Sequence, residues 1–128
     1  MSSQTVKTYL NYSLIDELKS LSNANGENLL DTLLKHFLEK APLAWDNLKK
    51  AHFEKNSTAV VVYTHRLNGF SANLGADRLA QLCGELERKG PKAAAPDTFD
   101  LVQRIGEEFE RVFLEIKQLQ ADKVPQNR

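Results

Sequence analysis

The sequence holds one cysteine in 128 residues, no surplus of either charge and no long apolar run. Cys83 has no partner for an internal disulfide and stands in an apolar helical pattern with Leu82 and Leu86, so buried packing is its expected job. The 17 basic side chains match the 17 acidic ones. A net charge of zero leaves no electrostatic footprint for nucleic acid or an anionic membrane, and neither is expected as a partner. No segment approaches the roughly 20 apolar residues that span a bilayer. The start, MSSQTVKTYL, lacks the basic stretch and apolar run of a secretory signal, so the expected location is cytoplasmic. There is no GxxxxGK[ST] loop, GxGxxG stretch, HExxH or paired-cysteine pattern, so neither a nucleotide site nor a metal site is expected. A metal-binding or hydrolytic bundle would need ligand pairs at helical spacing, which the sequence does not supply.

Apolar residues at spacings of three and four dominate instead. No Asn-Gly or Asp-Gly turn joins alternating runs, and the chain reads as all-α. A short first helix is expected after Ser13, whose hydroxyl can cap it, with Asp16 in the first turn and Leu14, Leu18 and Leu21 on one face. Asn25 and Gly26 break the pattern. From Glu27 the run Leu29, Leu30, Leu33, Leu34, Phe37, Leu38 and Ala41 makes a broad apolar face. Pro42 must either start a new helix or kink this one, and Trp45, Leu48 and Ala51 continue the period. The β-branched stretch TAVVVYT has strand propensity. Over the longer window Val60, Tyr63, Leu67, Ser71 and Leu74 share a helical face, up to a break at Gly75. A helix with Leu79, Leu82, Cys83 and Leu86 follows, then the loop GPKAAAPD, whose Asp97 can cap a long last helix striped by Phe99, Val102, Ile105, Phe109, Val112, Phe113, Ile116 and Leu119. The expected architecture is an antiparallel up-and-down four-helix bundle with a short additional N-terminal helix. Residues 1–12 form an N-terminal segment, 13–121 a single bundle domain, and 122–128 a tail expected to fray.

His65 stands apart from the core stripe of its helix. At about 100° per residue, Val60, Leu67, Ser71 and Leu74 fall within roughly 60° of the side opposite it. Gly69, one turn later at about 40°, costs roughly 1 kcal/mol relative to alanine in a helix interior. Side chains lean toward the helix N-terminus, so a larger group at 69 would lie over the imidazole, and glycine keeps that approach open. Histidine's ordinary pKa of about 6.5 gives a neutral imidazole a free lone pair at neutral pH, enough to accept a phosphoryl group directly. Val61 at about −40°, Val62 at about 60° and Ala72 at about −20° form an apolar rim around it, as a partner surface would. The plainer reading is an ordinary surface histidine beside a tolerated glycine, with a neighbouring helix covering the valines. His36 and His52 lie within or beside apolar runs and read as packing or boundary residues with no chemical role, and Trp45 is expected in the core.

The segment from Thr64 to Glu87, THRLNGFSANLGADRLAQLCGELE, resembles the histidine-containing phosphotransfer (HPt) domain, whose signature is HxLKG followed by small residues and a glycine. His65, Leu67, Gly69, Ser71, Ala72, Gly75 and Ala76 match it. The preceding LLDTLLKHFLEKAPLAWDNLKKA is similar to that family's second helix and following turn, and the last amphipathic helix completes its bundle. The resemblance implies that His65 receives phosphate from an aspartyl phosphate on a receiver domain and returns it to another. It implies a phosphocarrier with no ATP site of its own and no cofactor, Mg²⁺ being bound only by the partner receiver. Implied partners are receiver domains of response regulators, a hybrid histidine kinase, or both, met transiently by a monomer.

Two positions depart from the family pattern. Asn68 replaces the usual lysine and can donate a hydrogen bond, but it cannot balance the roughly −2 charge of a phosphoryl group. Phe70 replaces a usually small residue at about 140° from His65, and is expected at the core edge. Asn68, Gly69 and Arg66, the last at about 100°, are the candidate support residues around His65. The alternative function is a non-phosphorylated helical adaptor that binds a receiver or kinase and modulates signalling.

Overall fold

The computed structural model describes residues 8–22 and 24–123. The main helices α2 (Leu29–Phe53), α3 (Ser57–Asn73), α4 (Asp77–Glu87) and α5 (Phe99–Lys123) run up and down, and α1 (Tyr12–Lys19) precedes them. Helix α2 packs on α3, α3 on α4, and α5 on both α4 and α2, which closes the bundle. The expected fold class is the observed one. Two 3₁₀ turns, Gly90–Lys92 and Pro96–Thr98, link α4 to α5.

The core follows the sequence stripes: Leu34, Phe37 and Leu48 of α2, Val60 and Leu67 of α3, Leu79 and Leu86 of α4, and Ile105, Val112 and Ile116 of α5 are buried. Pro42 neither starts a helix nor ends one. It lies inside α2, whose apolar face is buried on both sides of it at Phe37, Ala41, Ala44 and Leu48. TAVVVYT is helical because Val60, Thr64 and Leu67 all bury against the bundle, and tertiary packing outweighs its strand propensity.

Four local expectations are corrected. Asn11, not Ser13, caps α1: its side chain accepts from the Ser13 and Leu14 N–H groups at 3.0 and 3.3 Å, and its own N–H is fixed by the Gly75 carbonyl at 2.8 Å. Starting two residues earlier, α1 ends at Lys19, so Ile15 and Leu18 are buried and Leu21 is exposed beyond the helix. At the other end Asp97 sits exposed within the turn Pro96–Thr98, and Thr98 Oγ1 engages the Ala93 and Ala95 carbonyls at 2.8 Å. Phe99, expected in the α5 stripe, is its first residue and projects past the core layers, so it is exposed. As for the expected tail 122–128, α5 continues to Lys123 and residues 124–128 lie outside the described residues; so do residues 1–7 of the N-terminal segment.

Cys83 is buried, as its position among Leu82 and Leu86 required. Burial and then the nearby Glu87 charge push its thiol up to about 12. Against an ordinary thiol near 8.5, that leaves roughly a thousandfold less thiolate near neutral pH. An aromatic disulfide reagent at pH 8 is therefore expected to titrate one thiol promptly in denaturant and at least about 100-fold more slowly in the native protein, as followed by absorbance. Rapid native reaction would contradict this burial.

Candidate functional site

The site is built where α3 faces α4. Asn56 caps α3 by accepting from the Ala59 N–H at 3.0 Å, and the stripe of Val60, Thr64, Leu67 and Ser71 turns inward. His65 is thereby forced outward, with 74% of its side chain exposed. The turn around Gly75 returns the chain antiparallel, which sets Glu87 across from His65. His65 Nδ1 lies 2.7 Å from Glu87 Oε2, and the Glu87 side chain is largely covered.

A carboxylate only accepts, so the short contact assigns the proton to Nδ1 in the neutral ring. Nε2 then carries the lone pair, on the side of the ring away from Glu87. An imidazole in this state is a nucleophile with a fixed tautomer. It needs no further base, and its cationic, N-substituted form is balanced by the carboxylate on the other nitrogen. Glu87 was not singled out by sequence reasoning. The signal available was the register of the α3–α4 hairpin: a tight turn at 74–76 pairs position 65 with position 87.

The other candidates distribute around this pair. Nothing lies within 4 Å of where a Gly69 Cβ would stand, so the approach one turn beyond His65 is open. Asn68 is half-buried on the α4 side, its Nδ2 close to Gly84. Arg66 turns the other way and stacks over Tyr63 at 5.4 Å, in a groove shared with Leu43, Asn47 and Phe70. Phe70 is half-buried against the core, at its edge. Of the apolar rim, Ala72 and Val62 are exposed and Val61 is half-covered by the core cluster.

His36 is exposed on α2. His52 is half-buried with Nε2 at 2.8 Å from Thr98 Oγ1, and burial and then Lys55 push its ring toward the neutral form. Trp45 is half-buried at the rim, tilted on Phe109 at 6.1 Å. Among the described residues no group of three or more His, Cys, Asp or Glu side chains could hold a metal ion. No helix of the described residues is long and apolar enough to cross a membrane.

Comparison with known proteins agrees with this geometry. A family model described as the Hpt domain matches residues 32–122. The fold is shared with the crystal structure of histidine-containing phosphotransfer protein B from Pseudomonas aeruginosa, at 23% identity, covering 91% of this chain and 97% of that one, with a TM-score of 0.78. It is shared equally with the crystal structure of the HPT domain from a Shewanella sensor hybrid histidine kinase, at 22% identity, the same coverages and a TM-score of 0.76. A search of curated proteins finds no match. The chain belongs to the Hpt domain family, and its role is histidine phosphotransfer in two-component phosphorelays.

Proposed function

We propose that His65 is the phosphoacceptor and that the bundle, residues 13–121 acting as one domain, relays a phosphoryl group between aspartyl-phosphate receiver domains. The carrying observation is the pairing of an exposed imidazole with Glu87 at 2.7 Å beside an unobstructed Gly69. In the forward step the Nε2 lone pair forms an N–P bond while the P–O bond to the receiver's aspartate breaks and leaves a carboxylate. The proton stays on Nδ1, so the substituted ring is cationic and Glu87 balances it. The return step reverses each bond change, and no proton has to be exchanged with water. Because the donor is already an acyl phosphate, this chain needs no ATP site and no cofactor. The charge on the transferring group is balanced by Mg²⁺ and a lysine of the receiver. Val61, Val62 and Ala72 form the contact rim, and Asn68 and Gly69 flank the transferred group. Arg66, stacked on Tyr63, lies on the neighbouring flank, where it can meet the partner. We place the protein in the cytoplasm as a monomer that meets response-regulator receivers, or the receiver of a hybrid kinase, transiently.

The test is transfer from a panel of radiolabelled phosphorylated receivers. The expected label is acid-labile and alkali-stable, as an N–P bond requires, and maps to the peptide that contains His65. Binding to receivers with no label from any of them would instead make the chain an adaptor.

Gly69→Leu separates access from folding. Open space at the Cβ position and a helix-propensity gain of about 1 kcal/mol predict a melting temperature equal to the wild type's or higher. The added side chain leans back over His65, so transfer is expected to fall about 10-fold or more. Undiminished transfer by a stable Gly69→Leu protein would show that receivers approach from another side.

A further inference from the structure

Asn68 leaves open where positive charge for the phosphoryl group comes from on this side of the complex. Arg66 is held over Tyr63, on the flank away from α4. The α3–α4 register brings a different cation to the site. Arg88, directly after Glu87, extends its side chain back toward the α4 N-terminus, as helical side chains do. Its guanidinium lies over Gly84, with Nη1 at 3.2 Å and Cζ at 4.0 Å from the point where a Gly84 Cβ would stand. Asn68 Nδ2 lies 3.9 Å from the same point. The guanidinium thus stands at the Gly84 level of α4, the level that Asn68 reaches from α3.

Gly84 leaves room for this placement. A glycine inside α4 costs about 1 kcal/mol relative to alanine, and a methyl group there would crowd Nη1. Arg88 is exposed, and no ion pair holds it among the described residues. Its planar fork of N–H donors suits two phosphate oxygens at once, which a lysine ammonium cannot match geometrically.

Resting on the reading of His65 as acceptor, we propose that Arg88 binds the phosphoryl group on His65 Nε2 and supplies from α4 the positive charge that Asn68 does not supply from α3. The group arrives with roughly −2 charge, so its second ionisation is made easier by a guanidinium beside it.

The test uses potassium phosphoramidate, a small donor that labels imidazole by forming the N–P bond as its own P–N bond breaks and ammonia leaves. Phosphorus NMR then follows the phosphohistidine through a pH titration. In Arg88→Gln the titration midpoint is expected about 0.5 pH higher than in the wild type, with labelling about threefold slower, the two being the same Coulomb effect read twice. Arg88→Lys should recover most of both. Asn68→Lys placed in the Arg88→Gln protein should restore the midpoint from the other helix. Lys89→Gln removes the same charge one residue further on and should leave both readings at wild-type values. A folded Arg88→Gln protein with the wild-type midpoint and rate would overturn the role of Arg88 alone, as would Lys89→Gln behaving like Arg88→Gln. Failure of phosphoramidate to label His65 in the wild type would overturn the acceptor reading and this one together.

Discussion

Exchange of His65 for glutamine is expected to abolish phosphoryl transfer from every receiver while moving the melting temperature by no more than about 2 °C. The two halves rest on different facts. Stability is indifferent because 74% of the His65 side chain is in solvent and its one side-chain hydrogen bond runs to Glu87. A glutamine amide can donate to the same carboxylate, and surface exchanges of this kind usually lie within about 0.5 kcal/mol of zero. Transfer is lost because an amide nitrogen has no available lone pair, so no N–P bond forms whatever the geometry. Glu87→Gln gives the graded contrast. The imidazole keeps its lone pair and can still donate to the amide oxygen, but the substituted, cationic ring loses its counter-charge. Transfer should therefore persist at a reduced rate and yield less phosphohistidine at equilibrium. Label surviving in His65→Gln would move the acceptor elsewhere, with exposed His36 and half-buried His52 the remaining imidazoles to examine.

What the sequence made legible is what depends on period. The stripes of α2 and α5 run for many turns, and most of their fully buried residues are ones the stripes named, although Ala44, Leu101 and Glu108 are buried without having been among them. His65 was legible for the same reason in reverse, since it is defined by standing opposite a stripe. Features that depend on two segments meeting were not legible. Glu87 became part of the site only through the turn at Gly75, which fixes the register of α3 against α4. The contact of Arg88 with Gly84 lies within α4 itself, and only the arrival of Asn68 at that level depends on the same register. The ends of helices were hidden by redundancy, because Asn11 and Ser13 both carry a suitable acceptor. The choice between them was made by the hydrogen bond from Asn11 N–H to Gly75, a contact 64 positions away in the chain. Phe99 satisfied the period yet lies outside the core, because a stripe says which face is apolar and not how far the neighbouring helices extend.

That same junction carries the largest expected effect on stability. Gly75→Ala should lower the unfolding free energy by about 2–4 kcal/mol, seen as a fall of roughly 10 °C in the melting temperature. Gly75 has φ +73, a left-handed conformation that costs an alanine about 1–2 kcal/mol. An added Cβ would also stand 2.8 Å from Asn11 Cβ and 3.1 Å from Asn11 N, which is backbone and cannot rotate away. Either the turn moves or the α1 entry does. The turn is held by α3 and α4, which pack along their length, whereas α1 has eight residues and is tied down by Asn11, by the Tyr9 N–H to Glu115 at 2.7 Å and by the Tyr12 hydroxyl to Glu115 at 2.6 Å. α1 should therefore yield first, uncovering Ile15 and Leu18, and amide exchange should accelerate there before it does in α3. Asn11→Gly removes the nearest atom that an alanine at 75 would strike and leaves the 3.1 Å approach to its backbone N, at the cost of its own cap, which is small for glycine. The double variant should thus be more stable than the sum of the two singles by about 1 kcal/mol. Because the α3–α4 register is spared, the ring-nitrogen shifts of His65 should remain those of an imidazole donating to Glu87. Strict additivity, or loss of that signature in Gly75→Ala, would mean that the turn yields before α1 does.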